Sequence, residues 1–182
     1  MITIISGTNR PNSYTRKIAA LVEGALAEVG EEVSLIDLTL LPSEILANTS
    51  YSSKPESFEV FQKAVLEPDG LLTVVPEYNG SFPGILKYFI DMLRFPASLR
   101  GMPAGFVGLS SGRWGGVRAV EQLEMVFQHR HAHLFGHRCF IPHVKRVLDQ
   151  SGRITDQAIA DRLHSTVAGF ARFCANVRSD EE

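Results

Sequence analysis

Short, almost wholly apolar runs alternate along this chain with longer stretches in which apolar residues recur at helical spacing. That alternation restricts it to one class of fold. The runs fall at residues 2–6, 33–36, 70–75, 104–109 and within 133–141. Leu71, Leu72, Val74 and Val75 leave the third run nearly free of polar residues, as a strand covered on both faces requires. Helical periods occupy 13–29, 56–66, 81–93, 117–128 and 155–177. In the first, Ile18, Leu21, Val22, Ala25, Leu26 and Val29 make one stripe, and Gly30 stops the helix. In the second, Phe58, Phe61 and Val65 face inward; in the third, Ile85, Leu86, Phe89, Ile90 and Leu93 do, with Ser81 as cap and Pro83 in the first turn. In the last, Ile159, Leu163, Val167, Phe170 and Cys174 form the buried face. Residues 38–55, rich in Ser, Thr, Asn and Pro, read as a long loop. Strands alternating with helices predict an α/β fold: a doubly wound, five-stranded parallel sheet of order 2-1-3-4-5, helices on both faces, right-handed crossovers. The whole of 1–182 is expected to be one domain, a size that suits a single core.

Composition removes several classes of function. Hydrophobic residues make up 45% and charged residues 21%, which is globular usage and excludes a disordered chain. The net charge of -2 and the lack of a basic stripe argue against nucleic acid or an anionic membrane as partner. No apolar run approaches the ~20 residues of a membrane span, and the N-terminus lacks the pattern of a secretory signal. Two cysteines, Cys139 and Cys174, lie on apolar faces, far from a disulfide framework, and read as core residues. A cytoplasmic setting is expected.

In open α/β sheets ligands bind beyond the carboxyl ends of the strands, at the point where strand order reverses. For this order the loops after strands 1, 3 and 4 meet there. The first, residues 6–15, packs hydroxyls, amides and Arg10 before a helix start. Free N–H groups and the helix dipole favour an anion, with Thr8, Ser13 and Thr15 as donors to phosphate oxygens and Arg10 as counter-charge. The same residues also describe an ordinary capped helix with a solvated arginine. Neither the dinucleotide glycine fingerprint nor the P-loop is present, so a terminal phosphate monoester fits best. The second loop, Pro76-Glu77-Tyr78-Asn79-Gly80-Ser81, offers an aromatic face and hydrogen-bonding edges to a flat heteroaromatic ring, or simply a polar turn. The third, residues 110–116, contains three glycines through which backbone approaches a ligand closely; Trp114 shields the site or lies on an oligomer contact.

Together the three loops resemble those of the NAD(P)H-dependent FMN reductases, a family that includes quinone, azo and chromate reductases. Gly7-Thr8-Asn9-Arg10-Pro11-Asn12-Ser13 is similar to the family's G-S-x-R-x-x-S, with Thr for Ser. Pro76-Glu77-Tyr78-Asn79 through Pro83, Leu86, Lys87, Ile90 and Asp91 is similar to P-E-Y-N-x-x-x-P-x-x-L-K-x-x-I-D, the most specific match. Gly112-Arg113-Trp114-Gly115-Gly116 is similar to G-R-x-G-G. The resemblance covers most of the chain and implies a flavodoxin-like fold binding FMN, with NADPH or NADH as donor. By position, Thr8, Arg10, Ser13, Tyr14 and Thr15 would hold the phosphate. Pro76, Glu77, Tyr78, Asn79 and Gly80 would line the isoalloxazine, and Ser111 and Gly112 would touch it from the third loop. The flavin would carry the chemistry, with no catalytic side chain and no metal. The acceptor would be a small molecule (quinone, flavin, azo compound or metal oxyanion), and the assembly a homodimer or homotetramer. Lys87-Tyr88-Phe89 is bulkier than the family pattern, and the stretch 95–100 is this chain's own.

A flavodoxin-like electron carrier or redox-sensing flavoprotein is the alternative, disfavoured by a charge milder than carriers have. His129, His131, His133 and His137 cross a helix-to-strand boundary without cysteine or acidic partners and read as solvated or interface residues. Asp37 ends the second strand without a glycine fingerprint before it and reads as a loop-starting residue.

Overall fold

The computed structural model describes residues 1–179. Strand β1 (Ile2–Ser6) is flanked by β2 (Val33–Asp37) and β3 (Gly70–Pro76), and β4 (Pro103–Leu109) lies outside β3. The order is β2-β1-β3-β4-β5, all parallel, as the alternation predicts. Helices α1 (Tyr14–Glu28) and α6 (Gln157–Ser179) cover one face; α2 (Glu59–Leu66), α3 (Gly84–Met92) and α4 (Val117–His129) cover the other. Successive strand residues serve opposite cores, Leu72 and Val74 on the α1/α6 side and Leu71 and Val75 on the α3/α4 side. That double burial is why the strand sequences show no alternation.

Local signals in the sequence place most boundaries. Ser13 caps α1 by accepting from the Arg16 N–H at 3.1 Å, and Gly30, at φ 84°, ends it after Val29. Val29 itself is exposed, so the α1 stripe closes at Leu26. The expected inward residues of α6, Ile159 through Cys174, are all buried. Asp37 starts a loop, as read, by accepting from the Thr39 N–H and hydroxyl.

Three details differ from the sequence reading. The helix expected from 81 begins at Gly84, with Pro83 at its cap position and no side-chain cap. Ser81 is held elsewhere: it closes a two-residue turn with Tyr78, and its hydroxyl donates to Gln122 Oε1 at 2.6 Å. The fifth strand is split into β5 (His133–Leu134) and β6 (Cys139–Ile141), both paired with β4. Between them Phe135 still donates its N–H to the Ala104 carbonyl at 2.8 Å, its ring joins an aromatic group with Phe170 and Phe173 at 5.8 and 5.4 Å, and the chain rejoins β4 at Cys139. Residues 38–55 contain three single 3₁₀ turns, which bury Leu38 and Ile45. Tyr88 donates its hydroxyl to the Ile45 carbonyl at 2.7 Å, so the bulky part of α3 anchors this segment. A short helix α5 (Val144–Val147) follows β6.

Candidate functional site

At the carboxyl end of the sheet, between β1 and β3, the three loops enclose a cleft of about 230 Å³. Of the twelve residues singled out in the sequence, eight line it: Arg10, Ser13, Tyr14, Thr15, Pro76, Glu77, Tyr78 and Ser111. Thr8, Asn79, Gly80 and Gly112 do not.

The first loop leaves β1 where Gly7 donates to the Val74 carbonyl at 2.9 Å; a Cβ on Gly7 would sit 2.7 Å from that oxygen. Only glycine lets the loop lie this close to β3. Thr8 is 1% exposed, its hydroxyl 3.0 Å from the Tyr78 hydroxyl and accepting from the Arg10 N–H at 3.3 Å. It therefore braces the first loop against the second from behind the cleft. Arg10, Ser13 and Thr15 remain on the cleft side, at the start of α1, where the first N–H groups of a helix have no internal partner. Ser13 uses its oxygen as acceptor in the cap, which leaves its O–H as a donor toward the cleft.

The second loop is a hairpin turn. Tyr78 and Ser81 exchange backbone bonds at 2.7 and 3.0 Å, and Asn79 and Gly80 between them have φ of 52° and 78°. Positive φ at both central residues is the type I′ pattern that Asn-Gly favours. The Asn-Gly pair thus shapes the loop, a signal legible in the sequence but read there as ligand contact. Helix α4 grips this turn from one face: Arg118 pairs with Glu77 Oε1, and four residues on Gln122 Nε2 donates to the Gly80 carbonyl at 2.9 Å. The side chain of Glu77 is 8% exposed, and its Oε2 is buried with no hydrogen-bond partner among the described residues.

The third loop folds over the end of β6. His143 and Val144 donate to the carbonyls of Gly112 and Ser110, each at 3.0 Å. Gly115 and Gly116 have φ of 61° and 90°, and a Cβ on either would come within 3.0 Å of neighbouring backbone. These glycines serve the tight seat of the loop on β4 and β6, while Ser110 and Ser111 face the cleft. Trp114 is exposed, with the Arg113 guanidinium 4.7 Å over its ring.

Pro11 and Asn12 of the first loop, Leu109 and Ser110, and Val144 and Lys145 of α5 complete the lining and were not singled out in the sequence. The rule that ligands sit past the strand ends would have drawn in the segment after the last strand as well. Electrostatically the cleft holds Arg10 and Lys145, neither in an ion pair among the described residues, against one carboxylate, Glu77, neutralised by Arg118. A cleft lined by two cations without ion pairs among the described residues, helix N–H groups, hydroxyls and a Pro, Tyr and Leu wall suits a flat ring carrying a phosphate.

The four histidines are dispersed: His129 lines a groove between α3 and α4, His131 sits in a turn at φ 61°, His133 lies in β5, and His137 packs on Phe135. Cys139 and Cys174 are buried, and burial pushes their thiols up to about 11 and about 12.

The family model of NADPH-dependent FMN reductases matches residues 1–145. An NAD(P)H-dependent FMN reductase of Pseudomonas aeruginosa is 33% identical, over 96% of this chain and 95% of its own length. A 2-hydroxy-1,4-benzoquinone reductase of Burkholderia sp is 28% identical, over 97% of each chain. Among solved structures, a flavoenzyme NAD(P)H:(acceptor) oxidoreductase of Paracoccus denitrificans superposes with a TM-score of 0.77 at 21% identity, covering 96% of this chain and 97% of that one; it shares the flavodoxin-like fold.

Proposed function

The chain belongs to the NADPH-dependent FMN reductase family, and from that premise we propose how its cleft works. It is an FMN-dependent oxidoreductase that takes electrons from NAD(P)H and delivers them to a small-molecule acceptor. The buried but unpartnered Glu77 Oε2, the free cations and the donor-rich start of α1 are consistent with FMN as the group the cleft accommodates. FMN, when bound, supplies the ring that accepts a hydride and returns electrons.

Arg10, Ser13, Thr15 and the first N–H groups of α1 hold the phosphate, Arg10 by charge-assisted bonds. Pro76 to Tyr78 and Leu109 give the ring its apolar walls, and Ser111 with the Gly112 backbone meets its polar edge. Thr8, Asn79 and Gly80 act one step back: Thr8 through Tyr78, and the Asn-Gly turn through its shape. The observation that carries this reading is the convergence of all three loops on one cleft at the switch point of the sheet.

For the acceptor we assign a quinone, because the Burkholderia relative is named as a benzoquinone reductase. The exposed Phe95 and Met125, 71% and 69%, flank the groove beside α4 and suit a homodimer or homotetramer contact. The reading also takes residues 1–182 as one domain and the cytoplasm, where thiols stay reduced and NAD(P)H is supplied, as its setting.

An absorbance titration tests it. Protein mixed with equimolar FMN should show a bound-flavin spectrum that anaerobic NADPH or NADH bleaches and 1,4-benzoquinone restores. Binding without bleaching would assign an electron carrier or sensor instead; no binding would remove the cofactor assignment.

A further inference from the structure

Past the end of β3 the second loop has no ladder to hold it, yet Glu77 and Tyr78 at its base line the cleft. A hairpin is marginal in water on its own, so the shape of this turn depends on what grips it from outside. The Thr8 hydroxyl meets the Tyr78 hydroxyl on one side, and Arg118 pairs with Glu77 on the other. Gln122 holds the tip. Its Nε2 donates to the Gly80 carbonyl at 2.9 Å, and its Oε1 accepts from the Ser81 hydroxyl at 2.6 Å.

Both ends of one amide are in use, and each end is dictated by its partner. The Gly80 carbonyl can only accept, so it faces the amide nitrogen, and the amide oxygen is left for the Ser81 hydroxyl. Among side chains of similar reach, ionised Glu offers no donor, and Lys and Arg offer no acceptor. Gln122 is exposed, so no core packing calls for it either. We propose that Gln122, together with Ser81, is a positioning residue for the cofactor: the clamp keeps the second loop in the shape that receives FMN, and FMN affinity depends on it although neither side chain lines the cleft. The inference rests on the FMN assignment above. Its physical basis is population: a ligand whose receiving conformation is present for a fraction of the time binds more weakly by that fraction.

The test uses four variants. Gln122→Leu removes both bonds at similar side-chain size. Gln122→Glu keeps the acceptor and sets a carboxylate oxygen against the Gly80 carbonyl. Ser81→Ala and the pair Ser81→Ala/Gln122→Leu complete a cycle. The Kd of FMN is measured by flavin fluorescence, and visible circular dichroism of the bound flavin reports the asymmetry of its surroundings. FMN should bind about tenfold more weakly to Gln122→Leu and Gln122→Glu and about threefold more weakly to Ser81→Ala, with altered visible dichroism in each. Ser81→Ala should add nothing in the Gln122→Leu background, where its partner is already gone. FMN affinity and dichroism equal to the parent's overturn the proposal, and a lower urea midpoint alongside them assigns Gln122 to the stability of the turn alone. Losses that add in the pair overturn the clamp as a unit. Should Gln122→Leu fail to fold, Gln122→Glu and Ser81→Ala decide by the same readouts. If the parent protein binds no FMN, it is the cofactor assignment that fails.

Discussion

Arg10 and Thr8 sit two residues apart in the first loop and do different work. Thr8 is enclosed behind the cleft against the Tyr78 hydroxyl, whereas Arg10 faces into it with no acidic partner among the described residues. Arg10→Ala should therefore weaken FMN about 10- to 100-fold, the size of one charge-assisted contact, and leave riboflavin, which lacks the phosphate, unaffected. Fluorescence titration with both flavins checks this; equal losses for both would remove Arg10 from the phosphate. The cysteines belong to the same scale. Cys139 and Cys174 are held protonated by burial, up to about 11 and about 12. A thiol whose folded pKa lies above its unfolded value contributes stability that is complete below the unfolded pKa and lost as pH rises toward the folded one. The urea midpoint should thus fall more steeply between about pH 9 and 11 in the parent than in Cys139→Ala/Cys174→Ala, and neither native thiol should react with a thiol reagent at pH 8.

Among the elements, α4 supports the cleft without lining it. Arg118 and Gln122, one turn apart, hold Glu77 and the Asn79-Gly80 turn, so the second loop keeps its shape through a helix that contributes no side chain to the cleft. The start of α4 is itself set by Gly116, which occupies the left-handed region at φ 90°. A Cβ there would meet the Leu109 nitrogen at 2.6 Å. Gly116→Ala combines an unfavourable φ with a backbone clash and should destabilise the fold by about 3 kcal/mol, read as a lower urea midpoint with unchanged slope. The same lesson explains the shortened α3. A Ser-x-Pro pattern is a fair helix start, but Ser81 is committed to Tyr78 and Gln122, and the helix waits for Gly84.

For the molecule as a whole, the proposed homodimer or homotetramer contact falls on uncovered apolar surface. Phe95 and Met125 lie on the groove that also contains Phe82 and Val126, on the α3/α4 side of the sheet and next to the second loop. Replacing both with Glu should lower the molar mass measured by light scattering to that of one chain, 20.1 kDa, at micromolar protein. An unchanged mass would move the oligomer contact elsewhere, Trp114 being the next exposed aromatic.

The alternation of apolar runs and helical stripes determined the fold class and the strand order and pointed to the end of the sheet that carries the cleft, because burial on both faces of a parallel sheet leaves its mark on every strand. Three loop motifs located the cleft, since helix starts, hydroxyls and glycines act over a few residues. Tertiary structure decided the rest. It set Thr8 against the Tyr78 hydroxyl, shaped Asn79-Gly80 as a hairpin turn, split the last strand, and brought Lys145 to a cleft whose other residues, Val144 aside, lie 34 to 135 positions earlier. Those outcomes depend on which groups from distant segments meet, and no local spacing records that.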